Sequence, residues 1–332
     1  MELFLNQSGM PVIFAVLMGI AILAYVILDG YDLGCGLLTF FADKSEKHTI
    51  MRTIAPFWDA NETWLVLGVG LLLVAFPHAH GIILSSLYLP VFFMLIGLVL
   101  RGVAFDFRLK GDPEHNTLWE KIFGFGSLLT VMSQGYILGS YILGFKFTSY
   151  SIFFSLLTGC FLCMGYILLG SCWLIMKTEG PLQNKSYSWA LKSLWVTGLG
   201  LASISLFTPW FSTRIFEKWF QYPNIIYLSP LPILSLIVFI FVHYKILQLK
   251  KHGSKTCGSP FIGSAILFIT AFLGLAYSFF PYLIPESMTI WQAASDIKSL
   301  QIILWGALAV LPFIFGYTIY VYRVFWGKIA PE

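Results

Sequence analysis

Acidic residues inside apolar runs are the side chains whose types and spacing could do chemistry in this sequence. Asp29 and Asp32 lie three residues apart in VILDGYDLGCG, and Asp59 and Glu62 repeat that spacing in APFWDANETW. A third segment, LRGVAFDFRLK, contains Arg101 close to an aspartate. Carboxylates in an apolar setting take raised pKa values and can exchange protons near neutral pH. Carboxylates in series therefore favour a proton path.

Each of these groups also has a purely structural interpretation. Asp59 and Glu62 suit the start of a helix, where the helix dipole favours negative charge. Arg101 could anchor the membrane face of the protein, and Asp29 and Asp32 could form structural hydrogen bonds or ion pairs. The residue types alone leave both interpretations open.

Histidine and cysteine offer no further redox or metal chemistry. The six histidines are predicted to lie in loops or near span ends, away from the mid-depth position of an axial haem ligand. His78 and His80, in PHAHG, have no third metal ligand nearby in the sequence and are expected in a turn between two helices. Cys160 and Cys163 fall in the middle of an apolar run, where small packing residues are expected.

The composition predicts an integral membrane protein. Of the 332 residues, 58% are hydrophobic and 11% are charged, whereas soluble domains average about 25% charged residues. The net charge of +4 does not indicate nucleic acid binding, because the basic residues lie in short loops, where they set membrane topology.

The elements that position these residues are predicted to be nine transmembrane helices in one domain over residues 1–332, an all-α fold. Eight could form two four-helix bundles, with one extra helix. If the N-terminus lies outside and the C-terminus inside, only four of the 20 basic residues fall on the outer side. This bias towards the inner side predicts that orientation. The apolar runs are 3–41, two within 63–100 separated by PHAHG, 122–145, 147–176, 193–213, 219–244, 256–285 and 299–322.

The depth of the first acids follows from helix geometry. If span 1 ends near Phe41, Asp32 lies about 14 Å and Asp29 about 18 Å from that end. That is close to the middle of a hydrocarbon core about 30 Å thick. Gly30 and Gly34 beside them would allow another helix backbone to approach closely. We therefore expect both carboxylates to face protein rather than lipid.

Three segments resemble subunit II of the cytochrome bd-type quinol oxidases. They are DGYDLG at 29–34, PFWDANETWLV at 56–66 and RGVAFDFR at 101–108, in the order found in that family. The similarity is specific over residues 15–110 and rests on hydropathy beyond them. Cys35, and Asp106 where some members have Glu, are mild departures.

The resemblance implies a respiratory enzyme of the bacterial inner membrane that oxidises quinol and reduces dioxygen to water. Proton uptake from the inside would generate a membrane potential without pumping. Subunit II would bind no haem itself and would pair pseudo-symmetrically with a haem-bearing subunit I, which holds haem b and haem d, or haem b in its place. The presence of small single-helix accessory subunits, or of a structural quinone in this chain, is left open.

Residue by residue, the resemblance places Asp59 and Asp106 in an inner-face proton path that Trp58 would line. Trp64 matches a tryptophan beside a hydrophobic route for dioxygen from the lipid.

Asp29, Asp32, Glu62 and Arg101 are then candidates for buried polar support at the subunit interface. Two other functions remain as alternatives: a proton-coupled transporter, and a purely structural partner subunit. A transporter is disfavoured because the acids cluster in the first third of the chain.

Overall fold

The computed structural model describes residues 9–110, 113–252 and 257–329. The two chain ends, whose predicted orientation follows from the basic residues, lie outside these ranges. So does Lys255, one of the residues in that prediction. Within the described ranges the chain is almost entirely helical, with one short β-hairpin, which confirms the predicted all-α membrane fold.

Fourteen α-helices occur in the described residues. They are α1 (Gly9–Leu38), α2 (Lys44–Ile54), α3 (Trp58–Ala75), α4 (Pro77–Ser86), α5 (Tyr88–Lys110), α6 (Asn116–Ile142), α7 (Ser149–Lys177), α8 (Gly180–Phe211), α9 (Thr213–Phe220), α10 (Asn224–Leu228), α11 (Pro230–His252), α12 (Ser259–Phe279), α13 (Ile290–Ala293) and α14 (Ile297–Val324). Short 3-10 helices span Thr39–Phe41 and Pro113–His115, and β1 (Tyr282–Ile284) pairs antiparallel with β2 (Met288–Thr289).

The predicted number of membrane spans agrees with the helices. Within the described residues, eight helices are long and apolar enough to cross a bilayer. A ninth span is obtained if α2 and α3, which meet at a bend of 55°, are taken together. The second predicted span is therefore the one that depends on a broken helix, and its acidic segment lies just after the bend.

Several predicted boundaries were wrong. PHAHG is not a turn: Pro77 opens α4, since proline is well tolerated in a first helical turn, and the two histidines lie within that helix. The run predicted at 219–244 becomes α11, which begins at Pro230 and continues to His252. Hydropathy missed the polar last turns, because backbone hydrogen bonding continues past the last apolar residue. The run predicted to reach 285 ends at Phe279, and the hairpin follows it.

The described residues form two compact units. The first contains residues 9–29, Pro56–Ser86 and Phe279–Trp326. Its core packs Ala21 and Tyr25 of α1 against Trp64 of α3. The start of α14 is attached to the end of α3 because the Ser295 backbone N–H donates to the Ala75 carbonyl at 2.8 Å.

The second unit contains Gly30–Ala55, the described residues within 87–278, and residues 327–329. Helices α5, α6, α7 and α8 pack in sequence, each against the next. Gly139 of α6 lies so close to α7 that an added Cβ would be 2.6 Å from the Cα of Ser155. A core of apolar residues from α7, α8, α11 and α12 closes the other side of α7 and α8.

Candidate functional site

The two aspartates of α1 are fully buried within the chain itself. Asp29 and Asp32 both have 0% exposure, and every residue from 29 to 39 is buried. A surface helix buries one stripe, whereas this end of α1 is covered all round. The prediction that these carboxylates face protein is therefore confirmed.

Glycines on two helices make that enclosure possible. A Cβ on Gly34 would overlap the Tyr166 carbonyl, and one on Gly170 would lie 2.7 Å from the Cys35 backbone nitrogen. The backbones of α1 and α7 are thus in contact beside Asp32, as expected from the glycines in the sequence. Cys35 contributes a weak hydrogen bond, with its thiol 3.9 Å from the Gly170 carbonyl oxygen.

Aromatic rings lie next to Asp32 in the same unit. Tyr31 stacks on Trp173 with ring centroids 4.1 Å apart, and Phe261 meets Tyr31 edge-on at 5.6 Å. The Lys177 ammonium lies 5.0 Å from the Trp173 ring centroid, a cation–π distance. This packing restricts water around the C-terminal part of α1.

The acidic segment at the start of α3 has one anchored residue and two more accessible acids. Asn61 is buried, and its side-chain amide donates to the Leu28 carbonyl at 3.1 Å. The Tyr322 hydroxyl donates to the Asn61 side-chain oxygen at 3.3 Å. Asp59 is exposed and Glu62 is half-buried. Asn61 therefore fixes α3 and α14 to α1 while Asp59 points outward.

Asn61 and Tyr322 were not among the predicted site residues. The signal for Asn61 was its place between two acids in DANET, at the start of a span, where a polar side chain needs a partner. Tyr322 gave no local signal, because it follows Asn61 by 261 residues.

The two tryptophans of this segment have different surroundings. Trp58 is half-buried beside Asp59. Trp64 is 2% exposed and meets the Phe315 ring at 5.0 Å, in the apolar cluster with Ala21 and Tyr25. The Trp64 indole N–H has no hydrogen-bond partner among the described residues. Trp64 is thus packed among apolar side chains.

The α5 segment contains one deeply buried cation and one exposed acid. Arg101 is fully buried, where α5 and α6 approach so closely that a Cβ on Gly126 would lie 2.9 Å from its backbone nitrogen. Asp106, about one and a half turns further on, is exposed. Arg108 forms a nearly buried ion pair with Glu120 of α6 at 3.0 Å, and Glu120 was not predicted.

The predicted site residues are thus divided by exposure. The fully buried ones, Asp29, Asp32 and Arg101, are sealed inside the chain, while Asp59 and Asp106 are exposed. Trp58, Asp59, Glu62, Trp64 and Asp29 lie in the first unit, and Asp32, Arg101 and Asp106 lie in the second.

The six histidines were predicted to lie in loops or near the ends of spans. No group of three His, Cys, Asp or Glu side chains able to hold a metal occurs within the described residues. One histidine corrects the sequence analysis: His243 lies within a long apolar helix, nine residues or about 14 Å before its end. Its ring packs edge-on against the Trp195 ring, with the ring centroids 5.6 Å apart.

Comparisons with known proteins give a consistent result over the whole chain. Residues 10–325 match the family model described as cytochrome bd terminal oxidase subunit II. A Bacillus subtilis protein named cytochrome bd ubiquinol oxidase subunit 2 is 29% identical, with 95% of each chain aligned. Cytochrome bd-I ubiquinol oxidase subunit 2 of Escherichia coli K12 is 25% identical over 96% of this chain and 95% of its own.

Among solved structures, the bd oxidase from Geobacillus thermodenitrificans has a similar chain. The TM-score is 0.79 at 17% identity, covering 95% of this chain and 98% of that chain. At this identity the match establishes the fold.

Proposed function

This chain belongs to the cytochrome bd terminal oxidase subunit II family, and from that premise we propose that it serves its oxidase as a haem-free proton- and dioxygen-delivering subunit. The family places the chain in a quinol:oxygen oxidoreductase of the bacterial inner membrane, with subunit I as its partner. The family match over residues 10–325 is the observation on which the assignment depends. It also disfavours a transporter.

The haems of the complex belong, in this proposal, to subunit I. They supply the electron transfer from quinol to dioxygen. The surroundings of His243 support this location, because its ring packs against Trp195 rather than facing a second histidine.

Proton delivery is assigned to the exposed carboxylates. Asp59 lies in the first turn of α3, and Asn61, two residues later, holds that end of the helix in place through the Leu28 carbonyl. Asp59 can therefore take up a proton from water and release it without moving its helix. Asp106 occupies an equally exposed position near the end of α5, and half-buried Trp58 limits water beside Asp59.

Dioxygen approach is assigned to the surroundings of Trp64. Dioxygen is apolar and dissolves preferentially in hydrocarbon, so a route from the lipid needs apolar walls. Trp64 provides such walls with Tyr25 and Phe315.

The buried polar residues have a supporting role. Asp29, Asp32 and Arg101 are fully buried within this chain, and Glu62 is half-buried. Any effect of the first three on the subunit interface is therefore indirect, through the positions of α1 and α5. Accessory single-helix subunits and a structural quinone are compatible with this arrangement but are not required by it.

The test of the proton role is Asp59→Asn in the intact complex. Asparagine keeps the shape but cannot exchange a proton, so oxygen consumption should fall by roughly a hundredfold, the lower end for a positioned proton-transfer group. Haem absorption should be unchanged. Glu217→Gln, at an exposed carboxylate of α9, is the matched control and should retain full turnover.

Two results would contradict the proposal. Normal turnover of Asp59→Asn would favour a purely structural partner subunit. Loss of haem from the complex would show that Asp59 acts on assembly rather than on proton transfer.

A further inference from the structure

Helices α8 and α11 pack side by side at one end of the second unit, and we call the exposed line along which they meet the α8–α11 crevice. The Lys250 ammonium donates to the Ser188 hydroxyl at 3.2 Å, and further along, the Trp195 ring meets Phe239 at 5.2 Å. As α8 residue numbers rise the α11 numbers fall, so the helices run antiparallel. Gly198 allows this approach, because a Cβ there would lie 2.6 Å from the Phe239 ring. The crevice is thus walled by two packed helices.

The walls of this crevice change character with depth. Ser188, Lys192 and Trp195 share one face of α8, being four and then three residues apart. Lys250 and Phe239 lie on the facing edge of α11, about 16 Å apart along the axis. The part of the crevice near Ser188 and Lys250 therefore carries ammonium and hydroxyl groups, and the part near Trp195 and Phe239 is aromatic. Trp195 is 60% exposed, so the aromatic part is open to the surroundings of the chain.

The charge at this end is not balanced by acids. Neither α8 nor α11 contains an aspartate or glutamate. The nearby acids are already engaged: Asp43 and Glu46 pair with Lys185 at 2.6 and 2.9 Å, and Glu179 pairs with Lys328 at 3.3 Å.

The lysines that remain at this end of the two helices are Lys192, Lys245, Lys250 and Lys251. Lys245 donates to Gln248 on its own helix, at a different side from the crevice. Lys192 and Lys250 are the two that flank it.

One membrane component, a phospholipid, presents its chemical groups in the same order. A phospholipid carries a phosphate at its head, polar ester groups below it and acyl chains beneath. Basic pockets between transmembrane helices on the cytoplasmic side are typical anionic lipid sites. The basic residues predict that these helix ends lie on that side. His243 lies about two turns before Lys250 on α11.

We propose that the α8–α11 crevice binds an anionic phospholipid of the cytoplasmic leaflet. Its phosphate lies between Lys192, Lys250 and the Ser188 hydroxyl, and an acyl chain packs along Trp195 and Phe239. The site is separate from the carboxylates assigned to proton delivery, and it does not depend on that assignment.

The test measures lipid retention by the purified complex. Lys192→Gln with Lys250→Gln removes both charges of the crevice, and native mass spectrometry after detergent exchange counts bound phosphatidylglycerol or cardiolipin. Because each lysine near a membrane surface contributes roughly a fivefold preference, affinity should fall by roughly 25-fold. Lys245→Gln with Lys251→Gln is the matched control, since it removes two charges from the same helix end outside the crevice. It should change retention little.

Two further variants separate this site from general charge effects. Lys192→Arg with Lys250→Arg keeps both charges and should retain the lipid. Trp195→Ser should weaken binding of long-chain phosphatidylglycerol more than of a short-chain analogue, because it shortens the apolar wall.

Three outcomes would overturn the proposal. Equal loss in the crevice and control pairs would show diffuse attraction to the membrane. Unchanged retention in the crevice pair would show that no lipid is held there. Displacement of the bound lipid by millimolar inorganic phosphate would show an anion site instead.

Discussion

Arg108 and Glu120 form an ion pair that is almost sealed from solvent. Their side chains are 6% and 2% exposed, and two guanidinium nitrogens, Nε and Nη2, donate to one Glu120 oxygen at 3.3 and 3.0 Å. Removing one member of such a pair leaves the other charge buried without compensation. This pair therefore connects α5 to α6 close to Asp106.

We expect Glu120→Gln to lower the free energy of unfolding by roughly 3 kcal/mol, because Arg108 keeps its buried charge. Thermal unfolding of the purified complex measures this loss. Glu114→Gln, at an exposed acid before α6, should be nearly neutral. The double variant Arg108→Gln with Glu120→Gln should recover much of the loss, and a double variant as unstable as the single one would contradict this reasoning.

Asp43 gives a pH-dependent prediction at the start of α2. The hydrogen bond and charge of Lys185 hold the pKa of the Asp43 carboxyl below its ordinary value of 3.8. A lowered folded-state pKa stabilises the folded state above pH 3.8, and this contribution is lost as the pH falls through the folded pKa. Glu46 also contacts Lys185, so it shares in this interaction.

Asp43→Asn should therefore lower the midpoint of thermal unfolding slightly at pH 6, and the difference should shrink as the pH falls below 3.8 and vanish below the folded-state pKa of Asp43. The effect is small because the Asp43 side chain is largely exposed. A difference that stays constant as the pH falls well below 3.8 would mean that the carboxylate charge is not responsible.

At the scale of elements, close backbone contact between α6 and α7 decides how the second unit packs. A Cβ on Gly135 would collide with the Gly159 backbone, and Gly139 lies equally close to Ser155. The small residues repeat at four-residue intervals on both helices, as is common where membrane helices touch.

Gly135→Ala should destabilise the protein by about 1–3 kcal/mol, because the two helices must move apart. Gly70→Ala is the matched control on α3, since its Cβ would meet nothing within 4 Å. Alanine is the better helix former, so the control should be neutral or slightly stabilising. Equal midpoints of thermal unfolding for the two variants would contradict the packing argument.

Helix α9 shows why hydropathy misread one boundary. It has eight residues and cannot cross a bilayer. Its apolar residues, Ile215, Phe216, Trp219 and Phe220, lie on one side of the helix, with the polar residues opposite. The Trp219 indole N–H donates to the Ser278 hydroxyl at 2.8 Å, so half of this side packs on the end of α12. Such a helix is expected to lie along the membrane surface.

At the scale of the whole molecule, the chain is one subunit of a membrane oxidase, and α1 contributes to both of its compact units. Asp32 lies in the part of α1 that is buried all round. We propose that a change there alters the position of the helix and, through it, the surface offered to subunit I.

We expect Asp32→Asn to reduce the yield of assembled complex several-fold, while the chain still inserts into the membrane. Co-purification with subunit I, followed by the haem spectrum, measures this yield. Cys163→Ser, at a half-buried residue in the middle of α7, serves as control and should assemble normally. An unchanged yield for Asp32→Asn would contradict a role in assembly.

The sequence by itself determined the class of protein and the number of spans, and it predicts the depth of the acids. These follow from the length of apolar runs and the rise per residue of a helix, which are local properties. Asp29 and Asp32 could be placed in a protein-lined interior because a carboxylate facing lipid is too unfavourable. The family followed from three short segments within residues 15–110.

Only the tertiary structure decided which side chains meet. Asn61 contacts Leu28 and Tyr322, and Glu120 contacts Arg108, through chain reversals that hydropathy does not encode. Likewise, only the tertiary structure decided that Asp59 and Asp106 are exposed whereas Asp32 is buried. Apolar residues all favour the membrane equally, so the contacts between helices depend on shape and hydrogen bonding, which are properties of the folded chain.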